Sequence, residues 1–129
     1  MKKFLTTLLA IFAFMTVNPS VFAQDEVGPR IVTDSIAPNG TRYVHFQTSP
    51  KVCSKAIDLV ITRKNVIQDV KFTRGCSGNT QGVCILVKGM KVQDAIDKLD
   101  GIMCGRRGTS CPDQLALALK MIQKKPARK

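Results

Sequence analysis

Apolar residues change their spacing several times along the chain. Lys2-Lys3 is followed by a nearly unbroken apolar run from Phe4 to Met15, interrupted only by Thr6 and Thr7. Asn18-Pro19-Ser20 stops it, and Val21-Phe22-Ala23 sets small or modest residues where a signal peptidase reads. A charged start, a short apolar stretch and such a site describe a secretory signal over residues 1–23, cut after Ala23. The run is shorter than the ~20 apolar residues a bilayer span needs. No transmembrane segment is therefore expected after cleavage, and the protein is expected to be exported, periplasmic or secreted.

Beyond the signal, 24–30 reads as a polar leader. Ile31 to Ile36 and Thr41 to Phe46 read as two short strands. Ala37-Pro38-Asn39-Gly40 between them is a turn, since Asn-Gly accepts the positive φ of a tight hairpin. The single histidine, His45, falls on the second strand as a surface residue. Gln47 to Lys51 resembles a linker, and a compact domain is expected to begin there. Ile57, Leu59 and Ile61 alternate, as do Val66, Val70 and Phe72, with Arg63-Lys64-Asn65 between the runs. This is a second hairpin with one buried face.

The period then changes to that of a helix. Gly75 and Gly78 around Cys76 suit a tight strand-to-helix turn. Helices are predicted over about Thr80 to Lys88, around Val92, Ala95, Ile96 and Leu99, and around Leu115, Ala118, Leu119 and Ile122, with Pro112 in the first turn of the last. Gly89 and Gly101 end the first two. The expected fold is α+β: a small antiparallel sheet of two hairpins followed by about three helices on one side. The expected division is 1–23 signal, 24–46 N-terminal extension with a hairpin, 47–123 compact domain and 124–129 basic tail.

Length and composition fit one core. The chain has 129 residues, 44% of them hydrophobic, but only 5% aromatic and no Trp. The core must therefore rest on Val, Ile, Leu and Ala. Beyond residue 23 the chain carries 18 basic and 9 acidic side chains, net +9. Such a balance favours anionic partners, with the tail (Lys124, Lys125, Arg128, Lys129) as the candidate contact to an anionic surface. Export makes nucleic acid the least expected of these partners.

The chemistry lies in five cysteines: Cys53, Cys76, Cys84, Cys104 and Cys111. An exported small domain ordinarily pairs its cysteines as disulfides, yet five is odd. Cys84 lies in an apolar helical run (Val83 to Val87) and reads as core. The other four sit at element ends, where backbone can converge. Four thiolates around one ion would make the closed tetrahedral geometry of structural zinc. Cys76 and Cys111 near helix N-termini are expected to have lowered thiol pKa values, and Arg74, Arg106 and Arg107 stand close in sequence to offset negative charge. Cys104 and Cys111 are separated by six residues, unlike common zinc knuckles, so spacing leaves metal and disulfides open. A reversible Cys104–Cys111 dithiol is a further alternative, though no Cys-x-x-Cys is present.

Gly108-Thr109-Ser110-Cys111-Pro112-Asp113-Gln114-Leu115 resembles the stretch that names the TSCPD domain family. Val52-Cys53-Ser54-Lys55, Gly75-Cys76-Ser77-Gly78-Asn79, Leu86-Val87-Lys88-Gly89-Met90 and Leu99-Asp100-Gly101-Ile102-Met103-Cys104-Gly105 extend the likeness over about 47–123. The resemblance implies four marker cysteines, falling on Cys53, Cys76, Cys104 and Cys111, and a metal site, zinc being the expected cofactor. It also implies a link to adenosylcobalamin-dependent ribonucleoside-diphosphate reductases, in which the domain occurs at the C-terminus. This chain shows no radical-bearing barrel or phosphate-cradling glycine loop. Adenosylcobalamin is not expected here, and catalysis by the chain alone is not expected. An accessory or interaction module with a protein partner, a reductase-associated or thiol redox protein, and a disulfide-stapled envelope protein are the functions this leaves. The export signal and the first hairpin read as departures from the family pattern. Asp113 and His45 are the only other groups that suggest a catalytic role.

Overall fold

The computed structural model describes residues 27–125. The expected signal over 1–23 and the last four residues of the expected basic tail lie outside the described residues. Four strands come first: β1 (Arg30–Ile36), β2 (Arg42–Gln47), β3 (Ser54–Ile61) and β4 (Ile67–Arg74). Three helices follow: α1 (Ser77–Val87), α2 (Val92–Leu99) and α3 (Cys111–Lys124). The strands form one antiparallel sheet in the order β1-β2-β3-β4, as the two-period pattern predicts.

The sheet buries one face. Val44 and Phe46 from β2, Ile57, Leu59 and Ile61 from β3, and Ile67 and Val70 from β4 pack with Val83 and Val87, Val92, Ala95 and Ile96, and Leu115, Ala118, Leu119 and Ile122 from the helices. Among the described residues no helix is long and apolar enough to cross a membrane.

Three details differ from the pattern read in the chain. The first hairpin is not an appendage. β2 pairs along its length with β3, setting Phe46 opposite Ile57, and both are fully buried. A two-stranded hairpin is marginal alone; shared with β3, it covers the core. The residue expected to open the compact domain, Gln47, is therefore the last of β2. On β4 the core position falls on Ile67 rather than Val66, which lies outside the strand. A register shift between Val60 and Ile61 pairs them with Asp69 and Ile67. The extra residue lets Ile67 and Val70, three apart, face the same side. Finally, α1 begins at Ser77, three residues earlier than the apolar spacing suggests. Its buried stripe is only Thr80, Val83 and Val87, and Ile85 and Leu86 are 74% and 69% exposed.

The C-terminal end of α3 is tied back to the first hairpin. Arg42 makes two bonds to the Asp34 carboxylate, at 2.7 and 2.6 Å, and donates to the carbonyls of Ile122 at 3.1 Å and Lys125 at 3.2 Å. One guanidinium thus joins β1, β2 and two of the carbonyls a helix end leaves without partners.

Candidate functional site

The β3–β4 hairpin sets the first two cysteines side by side. Ser54 is the register partner of Arg74. Cys53 lies one residue before Ser54, and Cys76 two residues after Arg74. Arg74 and Gly75 both take positive φ, +61° and +106°, which turns the chain sharply into α1. A Cβ on Gly75 would stand 2.8 Å from Cγ2 of Thr80, so glycine is required for both conformation and space.

The other two cysteines arrive on the loop before α3 and on the helix itself. The Ser110 side chain accepts from the Asp113 N–H at 3.2 Å, capping α3. Its hydroxyl donates to the Ile102 carbonyl at 2.5 Å. Asp113 accepts from the Gly101 N–H at 2.8 Å and from the Thr109 hydroxyl at 2.6 Å. Gln114, 3% exposed, donates to Thr109 Oγ1 at 2.9 Å and accepts from the Ser49 N–H at 2.8 Å. The run Thr109-Ser110-Cys111-Pro112-Asp113-Gln114 is thus a bracket. It caps the helix, folds back the 101–109 loop and pins the β2–β3 loop that leads to Cys53. Cys111 is carried at the first position of α3.

These pieces enclose a cleft of about 190 Å³ lined by Cys53, Cys76, Cys104 and Cys111, with Arg107, Asn79 and an apolar wall that includes Ile102, Met103 and Pro112. Cys111 is buried; the other three cysteines are exposed, and all are free thiols. Cys84 is absent from this lining. It packs against the core from α1 and borders a separate hollow with Val70, Phe72 and Ile85.

Positive charge reaches the thiols through a single arginine. Arg107 Nη1 donates to Cys53 Sγ at 3.1 Å, and this bond with the neighbouring sulfurs holds its proton more tightly than usual. Of the three arginines near the cysteines in sequence, neither Arg74 nor Arg106 lines the cleft.

The Cys76 thiol is pushed up from its ordinary value, contrary to the lowering expected at a helix N-terminus. The hydrogen bond with Cys53 is the largest cause, then the Cys53 charge, followed by desolvation and the charges of Cys111 and Cys104. Crowded sulfurs thus hold the proton on Cys76, first by the hydrogen bond with Cys53 and then because like charges at short range disfavour each further ionisation. Burial likewise raises the Cys84 thiol.

The two other sequence candidates are committed elsewhere. Asp113 is spent on Gly101 and Thr109. His45 shares a 2.5 Å hydrogen bond with Asp58, its cross-strand partner on β3, and does not line the cleft.

The donor chemistry of the cleft suits a soft divalent cation: four sulfurs in one place, whose mutual repulsion a cation would relieve. Among the described residues, however, no three or more His, Cys, Asp or Glu side chains form a group that could hold a metal ion as they stand. The backbone brings the thiols to one cleft; the side chains do not converge on a point.

Fold and site together define a small α+β domain built around a thiol-lined cleft. A family model, the TSCPD domain, matches residues 31–123, well over half of the chain, and the chain belongs to that family. The match opens at Ile31, so the first hairpin lies within it. Comparisons with curated proteins and with solved structures found no match.

Proposed function

We propose that this domain is a metal-holding accessory module in which Cys53, Cys76, Cys104 and Cys111 bind one zinc ion. One observation carries the reading. Four cysteines spread from residue 53 to residue 111 line a single cleft, and the fifth lies outside it. Zinc would act there as a structural cross-link between the sheet end, the 101–109 loop and α3, with no open coordination position. Three of the four thiols are exposed, so closing on an ion asks for side-chain rotation rather than a change of fold. The role is that of an accessory or interaction module for a protein partner, in an exported protein whose signal is residues 1–23. The basic tail at 124–129 would meet an anionic surface.

Native mass spectrometry of the purified chain, offered zinc with and without reductant, tests the site. The expected result is one zinc per chain, lost on acid or chelator, with thiols protected until then. Cys84→Ala should bind zinc as the unaltered chain does. A metal-free mass four hydrogens below the reduced chain would replace the zinc site with two disulfides. Loss of zinc in Cys84→Ala would overturn the ligand set.

A further inference from the structure

The end of the domain that holds the cleft carries charge of one sign. Lys51 and Lys55 stand on either side of Cys53, Arg74 just before Cys76, and Arg106 and Arg107 just after Cys104. The cleft gathers these three segments at one place, and all five basic side chains are exposed. No Asp or Glu occurs in 47–57, 73–79 or 101–112. Asp113, the next residue along, is turned to Gly101 and Thr109. Elsewhere basic side chains meet acidic ones, as in Arg42–Asp34, Lys88–Asp69 and Lys120–Asp100. Among the described residues none of the five at the cleft end forms a salt bridge, and only Arg107 has a side-chain hydrogen bond, to Cys53.

Two further observations mark this end as a surface that a partner covers. Ile102 and Met103 belong to the cleft wall yet are 42% and 53% exposed, an apolar strip set among the basic groups. Arginine and methionine are residues that interfaces concentrate. Arg74 holds φ at +61°, where glycine would be less strained, so a long charged side chain is kept at a conformational cost.

We infer that this end of the domain docks an acidic segment of a protein partner. The segment is rich in Asp and Glu, whose carboxylates meet Lys51, Lys55, Arg74 and Arg106, and it carries an aliphatic side chain that lies on Ile102 and Met103. Arginine offers carboxylates two parallel bonds, which adds geometry to charge. A concave rim with an apolar strip suits side chains on an extended chain better than a flat lipid surface. The three segments contain no aromatic residue on which nucleic-acid bases could stack. The inference rests on the accessory-module reading, whose partner it describes, but not on zinc. Four thiolates around one divalent ion leave two negative charges, against five positive ones at the rim.

The test is fluorescence polarisation with the full chain, both zinc-loaded and reduced with chelator. The probe is a labelled Asp/Glu peptide carrying one leucine. Beside it run the same peptide with serine for leucine, a thymidine oligonucleotide, and phosphatidylglycerol vesicles read by co-sedimentation. The leucine peptide should bind both samples and weaken as added salt screens exposed charges. Lys55→Ala, Arg74→Gly and Arg106→Ala should each weaken binding about two- to fivefold, and Met103→Ala about fivefold or more. Lys64→Ala, in the turn at the far end of the β3–β4 hairpin, should leave binding unchanged. Arg74→Gly should lose affinity without a lower Tm; a lower Tm would overturn the role given to Arg74. Equal weakening by Lys64→Ala and Arg106→Ala, equal binding of the serine peptide, or preference for oligonucleotide or vesicles would overturn the assignment. Peptide binding without zinc uptake would sink only the metal site, and zinc uptake without peptide binding only the docking surface.

Discussion

Gln114→Leu is the substitution that most directly tests the bracket around the cleft. Leucine nearly matches glutamine in size, so the packing of α3 changes little. What it removes is an acceptor for the Ser49 N–H and a donor to Thr109 Oγ1. Ser49, Thr109 and Gln114 are all buried, so water does not replace the lost partners. A buried N–H without an acceptor costs about 1–3 kcal/mol, and the Thr109 oxygen, which keeps its bond to Asp113, adds about 1 kcal/mol. Greater apolar burial of leucine offsets part of this. The expected loss is about 2–3 kcal/mol, a large share of the ~5–15 kcal/mol that holds a domain of this size. For a domain near 100 residues that is a fall in Tm of roughly 8–20 °C. The assay is urea unfolding of the reduced, chelator-treated chain, so that neither metal nor disulfide contributes. In the same variant the β2–β3 loop loses its tie to α3, and amide exchange at Ser49 should quicken. A loss below about 0.5 kcal/mol, the level of an ordinary surface change, would mean that the Ser49 bond does not hold the loop, and the account of the motif as a bracket would fall.

Three further outcomes are expected. Arg42→Lys keeps the charge but loses the two-pronged contact with Asp34 and the carbonyl contacts to α3; it should cost about 1–3 kcal/mol, and hydrogen exchange should show fraying of the last turn of α3. Ser54 is fully buried and its hydroxyl has no partner among the described residues; Ser54→Ala should therefore raise stability by about 1 kcal/mol in denaturant unfolding, and a loss of that size would show that the hydroxyl is satisfied. Cys84 is raised by burial above the ordinary 9.0, so its contribution to stability is complete below that pH and is lost as pH rises through the higher folded value. The reduced chain should weaken over that alkaline range, and Cys84→Ala should weaken less, as read by Tm against pH; Cys76, also raised, keeps part of the slope in the variant.

Much of the fold is written in local pattern. The alternation of Ile57, Leu59 and Ile61, the Asn39-Gly40 turn and the three-and-four spacing of Leu115, Ala118, Leu119 and Ile122 each depend on residues a few positions apart. Period alone assigns them to strand, turn and helix. The separation of Cys84 from the other cysteines was legible too, because it sits in an apolar helical run rather than at an element end. Composition likewise set the kind of core: with few aromatics, branched aliphatic side chains fill it.

Other features depend on contacts between distant residues, which spacing does not encode. Phe46 is core only because β2 adds to β3, and a strand's partner is chosen by burial of the whole face. Ile67 replaces Val66 in the core because one extra residue in the β3–β4 ladder shifts which side chains point inward. Gln114 and Ser49 lie 65 positions apart, yet their bond determines where the approach to Cys53 runs. The rise of the Cys76 thiol is of the same kind. A helix N-terminus, visible in the chain, favours the thiolate, whereas the neighbouring sulfurs, visible only in three dimensions, oppose it, first through the hydrogen bond with Cys53 and then through charge repulsion, whatever their distance along the sequence. The sequence by itself determined that Cys53, Cys76 and Cys111 stand at element ends and that Cys84 does not, whereas Cys104 lies inside the loop between α2 and α3 rather than at an element end. The tertiary structure decided that those three meet Cys104, and that Arg107 and Cys76 both attend Cys53, because only packing brings those ends to one cleft.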